Sequence, residues 1–359
     1  MSFFHFCWKD PSEPLKMGAF VECGTPDTQC SERKDPMGII PWVHSRAFHD
    51  TYELEEKLGS GSFSVVHAAR ARDPPHQSYA VKIIQRKKLV TRKQLLGFKD
   101  EIKILAGLQH DNIIRQYELY KEQKFFFVVL EKLEGGELFD RLCERETYHE
   151  KDARDAMRMI FEAVAYFHSK KIAHRDLKPE NLLLKDNSED SPIKVADFGF
   201  AKYVETPESL LTLCGSPAYT APEIVNYIPY DERVDNWSLG VILFTVLGGY
   251  PPFYQPTIHE TFQQIRQGSY TFPSEYWAGI SPDAKKLIKG LLNRDPNQRI
   301  TAEEALQHPW MTGRGEMLAQ RSLSNSLERF QEFNWERKRQ QHTNGDVKSV
   351  SMYWLVSRR

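Results

Sequence analysis

Four polar side chains stand where chemistry could be done: Asp176, Lys178 and Asn181 in AHRDLKPENLLL (173–184), and Asp197 in IKVADFGFA (193–201). Asp197 closes an apolar strand just before Gly199, which puts a carboxylate at a strand end where it can hold a cation. Asn181 adds a second hard oxygen, a pairing that suits Mg2+. Any one of these residues could be a turn former in a loop, but that reading does not cover all of them in this order. Lys82 lies in AVKII (80–84), an apolar strand where a lysine needs a partner or a ligand to offset desolvation, although a surface lysine is an equal reading. Glu101, on the helical stretch that follows, is a candidate partner. Gly59 opens GSGSFSVV (59–66), where a turn lacking Cβ atoms lets backbone N–H groups approach phosphates. Alone, such a hairpin is more often just a turn: Ser64 replaces the third glycine of GxGxxG, and no Gly-Lys-Ser/Thr closes a phosphate loop.

The elements that must position these groups fall into two kinds. Residues 52–59, 64–71 and 78–85 read as three strands in meander order, broken at Pro74-Pro75. The stretch 94–109 carries Leu95, Phe98, Ile102, Leu105 and Leu108 at helical spacing. Strand-like runs follow at 113–120 and 125–130. After Gly135-Gly136 long helices take over: 153–168 is amphipathic, and 234–247 is apolar almost all round, as a helix buried in a core would be. The expected fold class is α+β, with a small sheet-rich lobe joined by a short link to a larger helical lobe. Residues 1–50 show no periodicity and read as a poorly ordered extension; periodicity fades again from 311 onward, which reads as a tail.

Composition limits the function classes. The chain has 359 residues, 40% of them apolar and 27% charged, which fits folded lobes rather than disorder. With 48 basic and 49 acidic residues it has no global field for gripping nucleic acid or an anionic membrane. The basic clusters at 86–93 and 337–339 read as solvated helix faces. Five widely and irregularly spaced cysteines fit neither a disulfide framework nor a metal site, so reduced thiols are expected. No signal peptide, lipidation pattern or membrane-length apolar run is seen. A cytoplasmic protein, with the nucleus also open to it, is the expectation.

With these motifs in sequence order, the chain resembles a eukaryotic protein kinase over residues 51–310 (small lobe 51–131, large lobe 132–310, tail 311–359). The resemblance implies phosphoryl transfer from Mg-ATP to a protein hydroxyl, and the roles below are those of that family, which is a standard template for this chemistry. Gly59, Gly61 and Val65 would cover the nucleotide, and Lys82, paired with Glu101, would contact its phosphates. Asn181 and Asp197 would hold Mg2+. Asp176 would accept the hydroxyl proton, and Lys178 would steady the transferring group. Leu130 is the expected gatekeeper, with Glu131 to Leu133 the hinge for adenine. Glu223 should pair with Arg299. Lys178 with Ser216 marks a serine/threonine rather than a tyrosine kinase. A pseudokinase scaffold is the rival reading; intact Lys82, Asp176, Asn181 and Asp197 argue against it.

GSFSVV, EKLEGGELFDRL, ADFGFAK, GGYPPF and YDERVDNWSLGVIL resemble the calcium/calmodulin-dependent kinase group, most of all its type I branch. Glu137 and Glu180 match positions that bind an arginine upstream of the target residue, implying Arg-x-x-Ser/Thr sites; Thr245 stands where some kinases carry a further acid. Thr212 matches the phosphorylated threonine, with Arg175 as the counter-charge. Ser209 at its −3 position points to an upstream activating kinase. SLERFQEFNWERKR (326–339) resembles an autoinhibitory segment, with Phe330, Phe333 and Trp335 as anchors for calmodulin. The polar run from Gln340 to Gly345 departs from the apolar second half of that pattern and leaves calmodulin open as a partner. Protein substrates and a monomeric state are expected.

Overall fold

The structure, a computed structural model, describes residues 43–44, 47–60, 64–74, 77–206, 209–212 and 214–343. In the small lobe, β2 (Tyr52–Ser60), β3 (Ser64–Ala71), β4 (Ser78–Gln85), β5 (Gln116–Lys121) and β6 (Phe125–Glu131) form an antiparallel sheet, and β1 (Val43–His44) adds a parallel strand on the β5 edge. The sheet order is β1-β5-β6-β4-β3-β2.

The helix expected at 94–109 is α2 (Arg92–Ala106). It starts where it does because Thr91 and Gln94 cap each other: Gln94 N–H donates to Thr91 Oγ1 at 3.2 Å and Thr91 N–H donates to Gln94 Oε1 at 3.0 Å. Its apolar face buries Phe98, Ile102 and Leu105 against the sheet.

The expected extension at 1–50 differs from the structure at its end. Residues 1–42, 45 and 46 lie outside the described residues, but Phe48, in the one-turn helix α1 (Phe48–Thr51), is fully buried. Its ring stacks on Phe127 with centroids 4.3 Å apart, inside an aromatic cluster with Tyr52 and Tyr120. A single aromatic staple has no period, so the pattern of the sequence does not reveal it.

The large lobe is built on α3 (Leu138–Cys143), α4 (Glu150–Ser169) and α6 (Arg233–Gly248), with the one-turn α5 (Pro222–Val225) between the last two. Every α6 residue from Val234 onward is buried, which is why its sequence is apolar all round. The hairpin β8 (Leu182–Leu184) and β9 (Ile193–Val195) and the pair β7 (Ile172–Ala173) and β10 (Lys202–Tyr203) carry the polar loops on this helical base. Helices α7 (Ile258–Gln267), α8 (Ser274–Trp277), α9 (Pro282–Leu291), α10 (Ala302–Gln307), α11 (Pro309–Thr312) and α12 (Gly315–Ala319) complete the lobe.

The tail also departs from its sequence reading: residues 324–343 form a 20-residue helix, α13 (Ser324–Thr343). Phe330 is buried against Phe139, centroids 4.8 Å apart, and Arg329 donates to Gly248 O at 3.1 and 3.2 Å. Gly249 has φ 84°, and a Cβ there would stand 2.3 Å from Ser326 O, so only glycine lets the tail approach this closely. No described helix is long and apolar enough to cross a membrane.

Candidate active site

The loop 174–181 is fixed from below by one buried carboxylate. Asp235 on α6 accepts the backbone N–H groups of His174 and Arg175, each at 2.8 Å, and a bond from His168 Nε2 at 3.0 Å. This leaves Asp176 buried but turned to a small polar cluster. Lys178 Nζ donates to Asp176 Oδ2 at 2.7 Å and to Ser216 Oγ at 3.1 Å, and Ser216 Oγ donates to Asp176 Oδ1 at 3.0 Å. Burial pushes the Asp176 carboxyl up, and Lys178 pulls it only partly back. Burial likewise opposes the Lys178 charge, but Asp176 outweighs it and the ammonium is retained.

Asn181 donates from Nδ2 to Asp176 O at 2.7 Å, which leaves its carbonyl oxygen available as the hard donor. Asp197 adopts a left-handed backbone, φ 56°, at the end of the β9 strand. Its carboxylate lies 3.8 Å from Lys82 Nζ. Desolvation in the cleft opposes ionisation of Asp197, whose side chain is 51% exposed, but Lys82 and Lys178 outweigh it and hold the carboxyl below the usual range. One carboxylate and one amide oxygen form a donor pair of the kind that Mg2+ accepts alongside phosphate and water oxygens.

Lys82 sits on β4 opposite Val66 and Val128 and pairs directly with Glu101 of α2. Burial alone would lower its pKa, yet Glu101 and then Asp197 raise it above the ordinary lysine value. The strand lysine therefore has its partner, and the reading of Lys82 as a surface lysine falls away. Gly59 and Val65 flank the β2–β3 turn, with Val65 opposite Ser60 and Ile83; Gly61 lies outside the described residues. Leu130 is buried opposite Ala80, Glu131 ends β6, and Leu133 packs on the core just beyond.

Glu223 and Arg299 form the expected bidentate pair, at 2.7 and 3.0 Å. Arg175, with φ 70°, points its guanidinium at neutral oxygens: Nε donates to Phe200 O at 2.7 Å and Nη1 to the Tyr230 hydroxyl at 3.1 Å. The same hydroxyl donates to Thr212 O at 2.5 Å. Tyr230 thus connects Arg175 to the Thr212 segment, a role the sequence did not signal.

Glu137 and Glu180 come together around a residue of the tail. Arg337 Nη2 donates to Glu137 Oε2 at 2.7 Å and its Nη1 lies 3.1 Å from Glu180 Oε1. Lys338 adds contacts of 2.6 Å to Glu137 and 2.9 Å to Asp140. The reading of 337–339 as a solvated face is corrected for Arg337, whose side chain is 10% exposed. Asp140 and Asn334, 2.9 Å apart, also belong to this interface and were missed. Their signal was the acidic run of ELFD facing a basic run 200 residues away, which only the fold brings together. Phe333 is half-buried beside Tyr254, whereas Trp335 is exposed, with Arg339 over its ring at 5.0 Å.

Comparison with known proteins agrees with this geometry. Residues 52–311 match the protein kinase domain family. Calcium/calmodulin-dependent protein kinase type 1 of Caenorhabditis elegans is 42% identical over 282 residues, covering 79% of each chain. The type 1B enzyme of Rattus norvegicus is 45% identical over 262 residues, 73% of this chain and 75% of its own. Myosin light chain kinase A of Dictyostelium discoideum is 43% identical over 260 residues, 72% of this chain and 88% of its own. The chain belongs to the protein kinase family, within its calcium/calmodulin-dependent group, and is a serine/threonine kinase.

Proposed function

We propose that this kinase phosphorylates Arg-x-x-Ser/Thr sites in proteins and that its own tail blocks the arginine subsite. The observation that carries the reading is the seat of Arg337: a guanidinium fork between Glu137 and Glu180, the geometry a substrate arginine would take. Asp176 receives and orients the target hydroxyl. Ser216 already donates to its Oδ1 at 3.0 Å, the bond that a substrate hydroxyl has to make. Lys178 holds positive charge beside that bond, and Lys82, fixed by Glu101, orients the nucleotide phosphates. Asn181 and Asp197 would hold Mg2+, which would supply charge neutralisation to the phosphates. The protein forms no covalent bond; alignment and a preorganised field do the work.

Gly59, Gly61 and Val65 cover the nucleotide in this reading, with Leu130 behind adenine and the backbone of Glu131 and Leu133 in front of it. Phosphate on Thr212, added by an upstream kinase, gives Arg175 the anion it lacks among the described residues. Calmodulin, the partner named by the relatives, lifts α13 by way of exposed Trp335 and half-buried Phe333. The enzyme acts as a monomer in the cytoplasm or nucleus.

The test is transfer of phosphate from Mg-ATP to an Arg-x-x-Ser peptide and its Ala-x-x-Ser counterpart, with and without calcium-loaded calmodulin. The arginine peptide is expected to win, and calmodulin to raise the rate. Asp176→Asn should lower kcat about a thousandfold, the size of a lost general base. No transfer with or without calmodulin, even with Thr212 phosphorylated, would favour a scaffold. Full activity of Thr212→Ala after treatment with an activating kinase would remove the phosphorylation step.

A further inference from the structure

Lys194 is a buried lysine that none of these steps uses. It lies on β9, three residues before Asp197, and its Nζ is 2.9 Å from Glu131 Oε2, with the two side chains 9% and 12% exposed. Glu131 is the last residue of β6, where the small lobe gives way to the link. The same carboxylate oxygen accepts Arg115 N–H at 3.2 Å, and Glu131 N–H returns a bond to Arg115 O at 2.8 Å. The segment 112–115 is in turn tied to β9: Val195 N–H donates to Asn112 O at 2.8 Å, Ile114 N–H to Val195 O at 3.0 Å, and Asn112 Nδ2 to Ile193 O at 2.9 Å. Three chain segments therefore meet at one ion pair: the end of β6, the loop after α2, and the strand that delivers Asp197.

A buried ion pair is a poor device for stability, because apolar residues of similar volume would do as well without the desolvation cost. What a short, charge-assisted contact does supply is a fixed direction and length. Here that length runs between the two ends of the nucleotide site. Adenine is received at the hinge by backbone groups, and the phosphates are received near Asp197. A ligand touching both ends binds well only when their separation is set beforehand.

We propose that Lys194 is a positioning residue for Mg-ATP, a strut that holds the hinge and the Asp197 strand at the spacing the nucleotide needs. The inference rests on the hinge reading given under Proposed function. A ligand that engages only one end does not sense the strut, which separates it from a residue that merely stabilises the fold.

The experiment measures KM for Mg-ATP, KM for an Arg-x-x-Ser peptide and inhibition by adenosine in full-length Lys194→Met, Lys194→Arg and the double variant Lys194→Met/Glu131→Leu. Lys194→Met should raise the KM for Mg-ATP about fivefold, with adenosine affinity and peptide KM within about twofold of wild type. Lys194→Arg should restore the KM. The double variant removes the orphaned carboxylate and protects the fold, yet should keep the raised KM. If the double variant returns to the wild-type KM, the single defect was an unpaired Glu131 and the strut is overturned. Unchanged KM for Mg-ATP in Lys194→Met, or equal loss of ATP and adenosine affinity, overturns it too. If adenosine fails to compete with Mg-ATP in the wild-type enzyme, the hinge reading fails first and the strut falls with it.

Discussion

Arg337, on α13, lies 2.7 Å from Glu137, on the threshold of α3. The two are 200 residues apart in sequence. Arg337 is also held by Asn334 Oδ1 at 2.6 Å, one turn earlier, so its fork is preset before it meets the carboxylate. In the function proposed above, the tail competes for the arginine subsite with a side chain that loses little conformational freedom on docking.

Competition of this kind has a kinetic signature. In the full-length enzyme without calmodulin, Arg337→Ala should lower the KM for an Arg-x-x-Ser peptide about tenfold and leave kcat close to wild type, because only binding at the subsite is relieved. Initial rates across peptide concentrations measure this. A rise in kcat at constant KM would instead place the inhibitory effect on the catalytic groups.

Cys143 reports the docked state independently of activity. Its Sγ lies 3.9 Å from Phe330 O, and Gln331 Nε2 donates to Cys143 O at 2.7 Å. Burial pushes the thiol up to about 11, which keeps the reactive thiolate scarce at about pH 8. Reversing the charge of Arg337 and Lys338 to glutamate should release α13 and speed iodoacetamide labelling of Cys143 about tenfold, read by peptide mass mapping. Labelling at the unchanged rate would mean that α13 stays in place without its two cations.

The large lobe makes a stability prediction. Arg299 is fully buried, bonds Glu223 bidentately, and lies 5.4 Å from the centre of the Trp237 ring. Arg299→Met leaves Glu223 charged and unpaired in the interior, a cost of about 3–5 kcal/mol. Urea unfolding should show it as a lowered midpoint, and Arg299→Met/Glu223→Leu should recover most of the loss. A double variant as unstable as the single one would assign the effect to the remaining Arg299 contacts with Asn293 O and Arg233 O.

The catalytic loops were legible because their polar residues stand where strands and helices would otherwise demand apolar ones. Asp176, Asn181 and Asp197 are conspicuous for that reason, and their environment follows from local order plus one buried carboxylate, Asp235. Helices α2, α4 and α6 were legible from period alone, to within a few residues at each end. Three features were not. Phe48 is one residue with no repeat around it. Arg337 sits in a basic run whose usual fate is solvent, and its acids lie far away in sequence. The Lys194–Glu131 pair joins two strands that each look apolar, and the lysine has no sequence neighbour to mark it. All three depend on non-local contacts, which period and local charge do not encode.

The charges of the tail interface also set its response to pH. Burial would raise the pKa of Asp140, but bonds from Asn334 and Lys338 outweigh it and hold the carboxyl below its ordinary 3.8. A lowered folded pKa adds stability that is complete above the ordinary value and is lost as pH falls through the docked one. Lys338 has the opposite sign: burial opposes its charge, but Glu137 and Asp140 raise it above the ordinary 10.5, so its contribution is complete below that value and is lost as pH rises through the docked one. Between these limits neither group changes charge. The ratio of calmodulin-free activity in wild type to that in Arg337→Ala should therefore stay constant, within about twofold, from roughly pH 6 to pH 9. Taking the ratio cancels the pH dependence of catalysis itself. A ratio that climbs steadily across this range would mean that a group titrating near neutrality holds the tail, and that the Glu137, Asp140 and Lys338 contacts are secondary to it.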